Sequence, residues 1–194
     1  MALDIPQALT QTMDGPKVFI RSVEDMRVFE DRPSKPSIPS LGYGGKVETV
    51  PEGIKARAIA RKRNSYGMAM GDILLPEGQT VAGAVHGSLK TALVRAGYTV
   101  VSDETEAGAD GRTLDVDIER FWAWFTPGMW KISLDAWIST PIKINRGGTL
   151  HEMVIEADSQ LKGGSASAKA WRKVYQILLD RYVEEAVRQF RLVP

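Results

Sequence analysis

The amino-acid sequence predicts an α+β domain, built as a mostly antiparallel sheet with a three-strand meander and two main helices packed on one face. Two stretches repeat apolar residues at helical spacing: Val81, Val85, Leu89, Ala92, Leu93 and Ala96 in one, Trp171, Val174, Tyr175, Leu178, Tyr182 and Ala186 in the other. Between them, three long segments alternate apolar and polar residues, the pattern of strands with one buried and one wet face. A sheet that is wet on one side needs a cover on the other, and the two helices supply it.

Taken in chain order, residues 1–15 read as a flexible polar arm and residues 16–194 as a single domain without internal repeat. Lys17 to Val23 is rich in β-formers and predicts a largely buried strand. From about 24 to 53 the chain holds Pro33, Pro36, Pro39 and Pro51 with Gly42, Gly44 and Gly45, which breaks both helix and sheet. A connection this long is functional or mobile. Ile54 to Asn64 fits a basic helix or a strand, and Met68 to Leu75 an extended segment. The first helix runs from Thr80 to Ala96 with Gly97 as its stop, and Tyr98 to Val101 makes a short strand before a loop that reaches Arg112.

In the first alternating segment Leu114, Val116 and Ile118 oppose Asp115, Asp117 and Glu119, and Phe121 to Phe125 continue it. Aromatic residues occupy both faces of that continuation, so either a bulge near Arg120 shifts the register or the hairpin projects from the sheet. Thr126 to Met129 turn the chain. Trp130, Ile132, Leu134, Ala136, Ile138, Ile142 and Ile144 then share one face opposite Lys131, Ser133, Asp135, Ser139 and Lys143. After a turn over Asn145 to Gly148, Met153, Ile155, Ala157 and Leu161 form the third apolar row, and Ser165 or Ser167 caps a helix reaching Phe190.

Basic residues number 25 and acidic residues 24, for a net charge of +1, so global charge selects no class of partner. With zero cysteines there are no disulfides, thiolate metal sites or cysteine nucleophiles. His86 and His151 are the only histidines, neither in a zinc-binding spacing, and no Gly-x-Ser-x-Gly elbow is present. Gly42 to Lys46 departs from a phosphate loop because Val47 stands where Ser or Thr is required. Asp115, Asp117 and Glu119 read as a solvated strand face rather than a metal or acid–base site. No catalytic residue, cofactor or metal is therefore expected.

Two candidate interaction surfaces stand out. Arg57, Arg61, Lys62 and Arg63 lie in a basic run without an acid, suited to phosphate oxygens, lipid head groups or a polyanion. Aromatic side chains are missing around it, so no nucleic-acid partner is expected. The second comprises Trp122, Trp124 and Trp137, the last on the polar face of its strand and a candidate interface anchor. Trp130 and Trp171 fall on core faces. Gly83 and Gly87 flatten one side of the first helix, for close approach of the sheet or of a second subunit.

Val18 to Arg27, a strand followed by an Asp25-x-Arg27 pair and a loop containing Gly42, resembles the start of the YajG-type family of bacterial outer-membrane lipoproteins, mostly uncharacterised. The resemblance continues through Ala96-Gly97-Tyr98, the segment Leu114 to Phe125, the strand to Ile144, and Ala157 to Gly163 before the last helix. The loop over 24–53 and the insert reaching Leu75 are long for that family, and the tryptophan-rich hairpin is unusual for it. The resemblance implies a lipid-anchored domain on the periplasmic face of the outer membrane, its lipid-bearing cysteine expected before residue 1. It implies a non-enzymatic interaction or assembly module, with envelope proteins or a second copy as partners. The alternative is a small-molecule or glycan-binding domain with the proline-rich loop as lid and the tryptophans as platform. Asp25 and Arg27 read as architecture, the carboxylate accepting backbone N–H groups and holding the arginine two residues on.

Overall fold

The computed structural model describes residues 1–7, 14–42, 46–64, 68–128, 132–163 and 165–193. In chain order the elements are β1 (Lys17–Asp25), α1 (Glu52–Lys55), β2 (Ala58–Arg63), β3 (Ala69–Leu74), α2 (Val81–Ala96) and β4 (Thr99–Val100). They continue with α3 (Glu104–Ala107), β5 (Arg112–Ile118), β6 (Arg120–Thr126), β7 (Ile132–Arg146), β8 (Thr149–Gly163) and α4 (Ala168–Phe190). The segment 54–64 thus resolves into the end of α1 followed by β2. No helix among the described residues is long and apolar enough to cross a membrane.

β6, β7 and β8 form the antiparallel meander, and β8 pairs along β7 from Ile132 opposite Gly163 to Arg146 opposite Thr149. The sheet as a whole has eight strands and is mixed. β1 runs parallel to both β4 and β5, and β2 runs parallel to β6. The mostly antiparallel expectation therefore holds in part: the meander, β2–β3 and β5–β7 are antiparallel, whereas β1 and the β2–β6 contact are parallel. Alternation along a strand reports which face is buried and carries no information on the direction of its neighbour. α2 returns the chain across the sheet between β3 and β4, and such crossovers are what permit parallel pairing.

The other edge of β7 is shared by β6, opposite Ser133–Ser139, and β5, opposite Ile142–Arg146. Between the pairs Val116–Ile142 and Arg120–Ser139, residues 117–119 face only 140–141, so β5 and β6 are one strand line interrupted by a bulge. The bulge reverses the alternation. Phe121 and Ala123 enter the main core, while Trp122 and Trp124 turn to the far face, where Trp122 lies opposite Trp137.

The main core lies between the sheet and the α2–α4 pair, both helices on one face as expected. Thr80 caps α2 by accepting from Gly83 N at 3.0 Å, and Gly97 ends it at φ 98°, a left-handed conformation that glycine adopts without steric cost. Ser167, rather than Ser165, caps α4. Tyr182 and Tyr175 are fully buried on α4: the first bonds Thr140 at 2.7 Å, the second donates to Ile59 O and stacks on Phe121. Leu134 and Ile138 are buried and Ile132 half-buried, whereas Ser133 and Asp135, expected to be exposed, are half-buried. Ser133 and Asp135 bond each other, and Thr126 and Gln160 also donate to Asp135, which draws these polar groups together. Trp130, Lys131, Gly44 and Gly45 lie outside the described residues.

Residues 1–7 do not form a free arm. Leu3 is buried, Ile5 packs over Gly87, and the Pro6 and Gln7 carbonyls accept from Thr91 and Arg95 of α2. The flat side of α2 at Gly87 is thus covered by Ile5 of this chain's own amino-terminal segment.

Candidate functional site

β1 ends beside Ile118 and β2 starts one bulge further along the same line, so β2 continues the path of β1 along the β5–β6 strand. Residues 26–57 are an excursion between two collinear strands. The gap between them is closed by Arg27, whose side chain is fully buried. It donates to both Asp25 carboxylate oxygens at 2.7 Å, to Ala58 O at 2.6 Å, to Phe121 O at 3.0 Å and to Lys55 O at 2.9 Å. All five guanidinium N–H groups are used. The pair read from the sequence as a loop anchor is a strut that joins β1, β2 and β6.

Beyond this strut the excursion folds back over the far face of the sheet. Leu41, Ala58 and Trp122 form a second small core, with Phe29, Val50, Leu74 and Trp124 packed against it. Phe29 stands edge-on to Trp122 with centroids 6.0 Å apart, and Trp122 Nε1 donates to Pro36 O at 3.2 Å. The arms of the loop are tied by Glu30 N donating to Pro39 O at 2.9 Å.

Between loop and sheet lies a groove of about 600 Å³. Its floor is Trp122, Trp124 and Trp137; its apolar walls are Met26, Val28, Ile38 and Pro39. Met26 and Val28 are 55% and 74% exposed, high for such side chains on a folded loop. Glu30, Ser37, Glu119 and Arg120 contribute the polar atoms. The Arg120 guanidinium sits 4.1 Å from the centre of the Trp137 ring, a cation–π contact. The bulge places both Glu119 and Arg120 at the groove.

The structure brings Trp122, Trp124 and Trp137 together, and it turns the arginines of the basic run, at the strand beside β6, to the fold's own acceptors. Arg57 donates to Leu75 O, Arg61 to Gly42 O beside Asp72, and Arg63 to Ser40, so these arginines tie β2 to β3 and to the loop. Of the four, only Lys62 is exposed. The wall residues Met26, Val28, Ile38 and Pro39 were not singled out from the sequence. Their signal was faint: apolar residues inside an otherwise polar, proline-rich loop.

Asp115 is engaged by Arg21 and by Ser22 Oγ, and the Arg21 guanidinium holds its carboxyl below the usual carboxylate range. His86 and His151 are exposed. Among the described residues no three His, Cys, Asp or Glu side chains converge on a metal-sized site.

No protein-family model matches the chain, and no curated protein matches it. Solved structures do. An uncharacterised protein shares 13% identity over 98% of this chain and 99% of its own, with a TM-score of 0.51. Protein XCC0632 from Xanthomonas campestris, of family DUF330, shares 11% identity over 99% of this chain and 94% of its own, with a TM-score of 0.50. At these identities the likeness is one of fold.

Proposed function

We propose that this chain is a non-enzymatic module of the bacterial cell envelope whose tryptophan-floored groove docks a segment of a partner protein. The observation that carries the reading is the excursion over residues 26–57. It interrupts a strand line, is braced by a buried arginine, and has a small core of its own under the groove. Such investment in an open aromatic groove suits recognition, where aromatic anchors dominate binding energy. The polar groups lining it, Glu30, Ser37, Glu119 and Arg120, contain no histidine and no paired nucleophile and base. The envelope placement and the lipid anchor rest on the resemblance to YajG-type lipoproteins, and the upstream coding sequence tests them through a signal segment ending at a cysteine.

A second reading, a small-molecule or glycan site with the loop as lid, draws on the groove's volume, which lies in the range of ligand pockets. Arg120 weighs against it, because its guanidinium already covers the Trp137 ring that a sugar would stack on. Photo-crosslinking in cells from a probe at Val28, with Met68 on the β3 side as control, separates the readings. Docking of a protein predicts a discrete adduct from position 28 alone, lost on Trp124→Ala. No adduct, combined with saturable tryptophan quenching by envelope glycans, would replace it with the second reading.

A further inference from the structure

We infer that the segment docked in the groove is a basic one, extended and alternating apolar side chains with arginine or lysine; this rests on the reading of the groove as a protein-docking site. The first observation is in the groove. Two carboxylates, Glu30 and Glu119, line it against a single cation, Arg120, whose guanidinium is already placed on the Trp137 ring, so the formal charge of the lining is negative.

The second lies on the sheet face leading to the mouth. Elsewhere on that face Asp115 is engaged by Arg21, Asp135 by Thr126, Ser133 and Gln160, Glu156 by Ser139 and Asp158 by Arg181, while Glu152 has Lys143 as its register partner. At the mouth the pattern changes. Among the described residues Glu24, Asp117 and Glu119 take part in no ion pair. Glu24 and Asp117 are register partners on adjacent parallel strands, an arrangement in which like charges repel. Glu119 follows on the same face, at the groove itself. A row of uncompensated carboxylates running into an aromatic groove is complementary to a row of cations, and Met26, Val28 and Ile38 supply the wall for the alternate apolar side chains.

The test uses the full chain and three fluorescein-labelled hexapeptides that alternate leucine with arginine, glutamate or serine, followed by anisotropy. The Leu/Arg peptide is expected to bind most tightly and to weaken as salt rises from about 0.05 to about 0.5 M. Glu24→Gln combined with Glu119→Gln, at two exposed positions, should raise its Kd about five- to ten-fold with a melting midpoint that is unchanged or slightly raised by relief of the Glu24–Asp117 repulsion. A Leu/Ser peptide binding as tightly as Leu/Arg, or a Kd within two-fold in the double variant, would overturn the inference. If that neutral binding is lost on Trp124→Ala, the groove reading survives without the charge assignment; if no peptide binds, both fall.

Discussion

Replacing Arg27 by methionine removes the strut between β1, β2 and β6 while keeping the side chain's bulk. Two consequences add. The Ala58 and Phe121 carbonyls, both in buried hydrogen bonds, lose their donor, at about 1–3 kcal/mol for each orphaned group. Asp25, whose side chain is 19% exposed, loses its cation, and breaking such a pair from one side costs about 3–5 kcal/mol. These terms share atoms and do not sum in full, so we expect a loss of about 4–6 kcal/mol, a large part of a typical domain's about 5–15 kcal/mol. Asp25→Leu added to Arg27→Met should recover part of the loss, because no unpaired carboxylate is then left near the core. Urea unfolding followed by far-ultraviolet circular dichroism gives the magnitude. Tryptophan emission gives a second signature. The Arg27 guanidinium lies 5.2 Å from the Phe29 ring centre and Phe29 abuts Trp122, so loosening the strut should shift emission to the red in the folded variant. A loss below about 1 kcal/mol would refute the strut, since it would mean that water or neighbouring groups replace all its bonds.

The main core and its polar edge separate in a second pair of variants: Leu134→Ala, 1% exposed, should cost about 2–5 kcal/mol, and Ser133→Ala about 1 kcal/mol through its 2.8 Å bond to Asp135, both read from denaturant midpoints. Burial pushes the Tyr175 and Tyr182 phenols up, so the native state holds protons that the unfolded chain releases near pH 10. Their contribution is therefore intact below about pH 10 and declines above it, and tyrosinate absorbance should rise together with unfolding; titration of all tyrosines in the folded protein would contradict this. Gly87→Leu should expel Ile5, since even a Cβ there lies 3.2 Å from its side chain, and hydrogen exchange should rise in residues 1–7 while the α2 core stays protected.

Much of the scaffold was legible because it follows from local period. The stripes beginning at Val81 and Trp171, the alternation from Leu114 and from Ile132, and the caps at Gly97 and at Ser165 or Ser167 each depend on residues a few positions apart. The aromatic run at 121–125 pointed either to a bulge near Arg120 or to a hairpin projecting from the sheet, and the pairing of β5 and β6 along β7 selects the bulge.

Direction and assembly were different. Whether β1 lies parallel to β5, whether Ile5 covers Gly87, and whether Arg61 faces solvent or the Gly42 carbonyl all involve partners distant in sequence. The basic run at 57–63 illustrates the reason. Its composition announced charge, but whether a guanidinium serves a partner or the fold's own carbonyls depends on which carbonyls lie within reach. The groove is the clearest case. Trp122, Trp124 and Trp137 could be named from the sequence, yet Met26, Val28, Ile38 and Pro39 become their walls only because a buried arginine holds two collinear strands together and turns the chain between them over the far face. The sequence determined the period, burial and chemistry of each segment, which are local properties; the tertiary structure alone decided which of those chemistries meet, because that is set by long-range closure of the sheet.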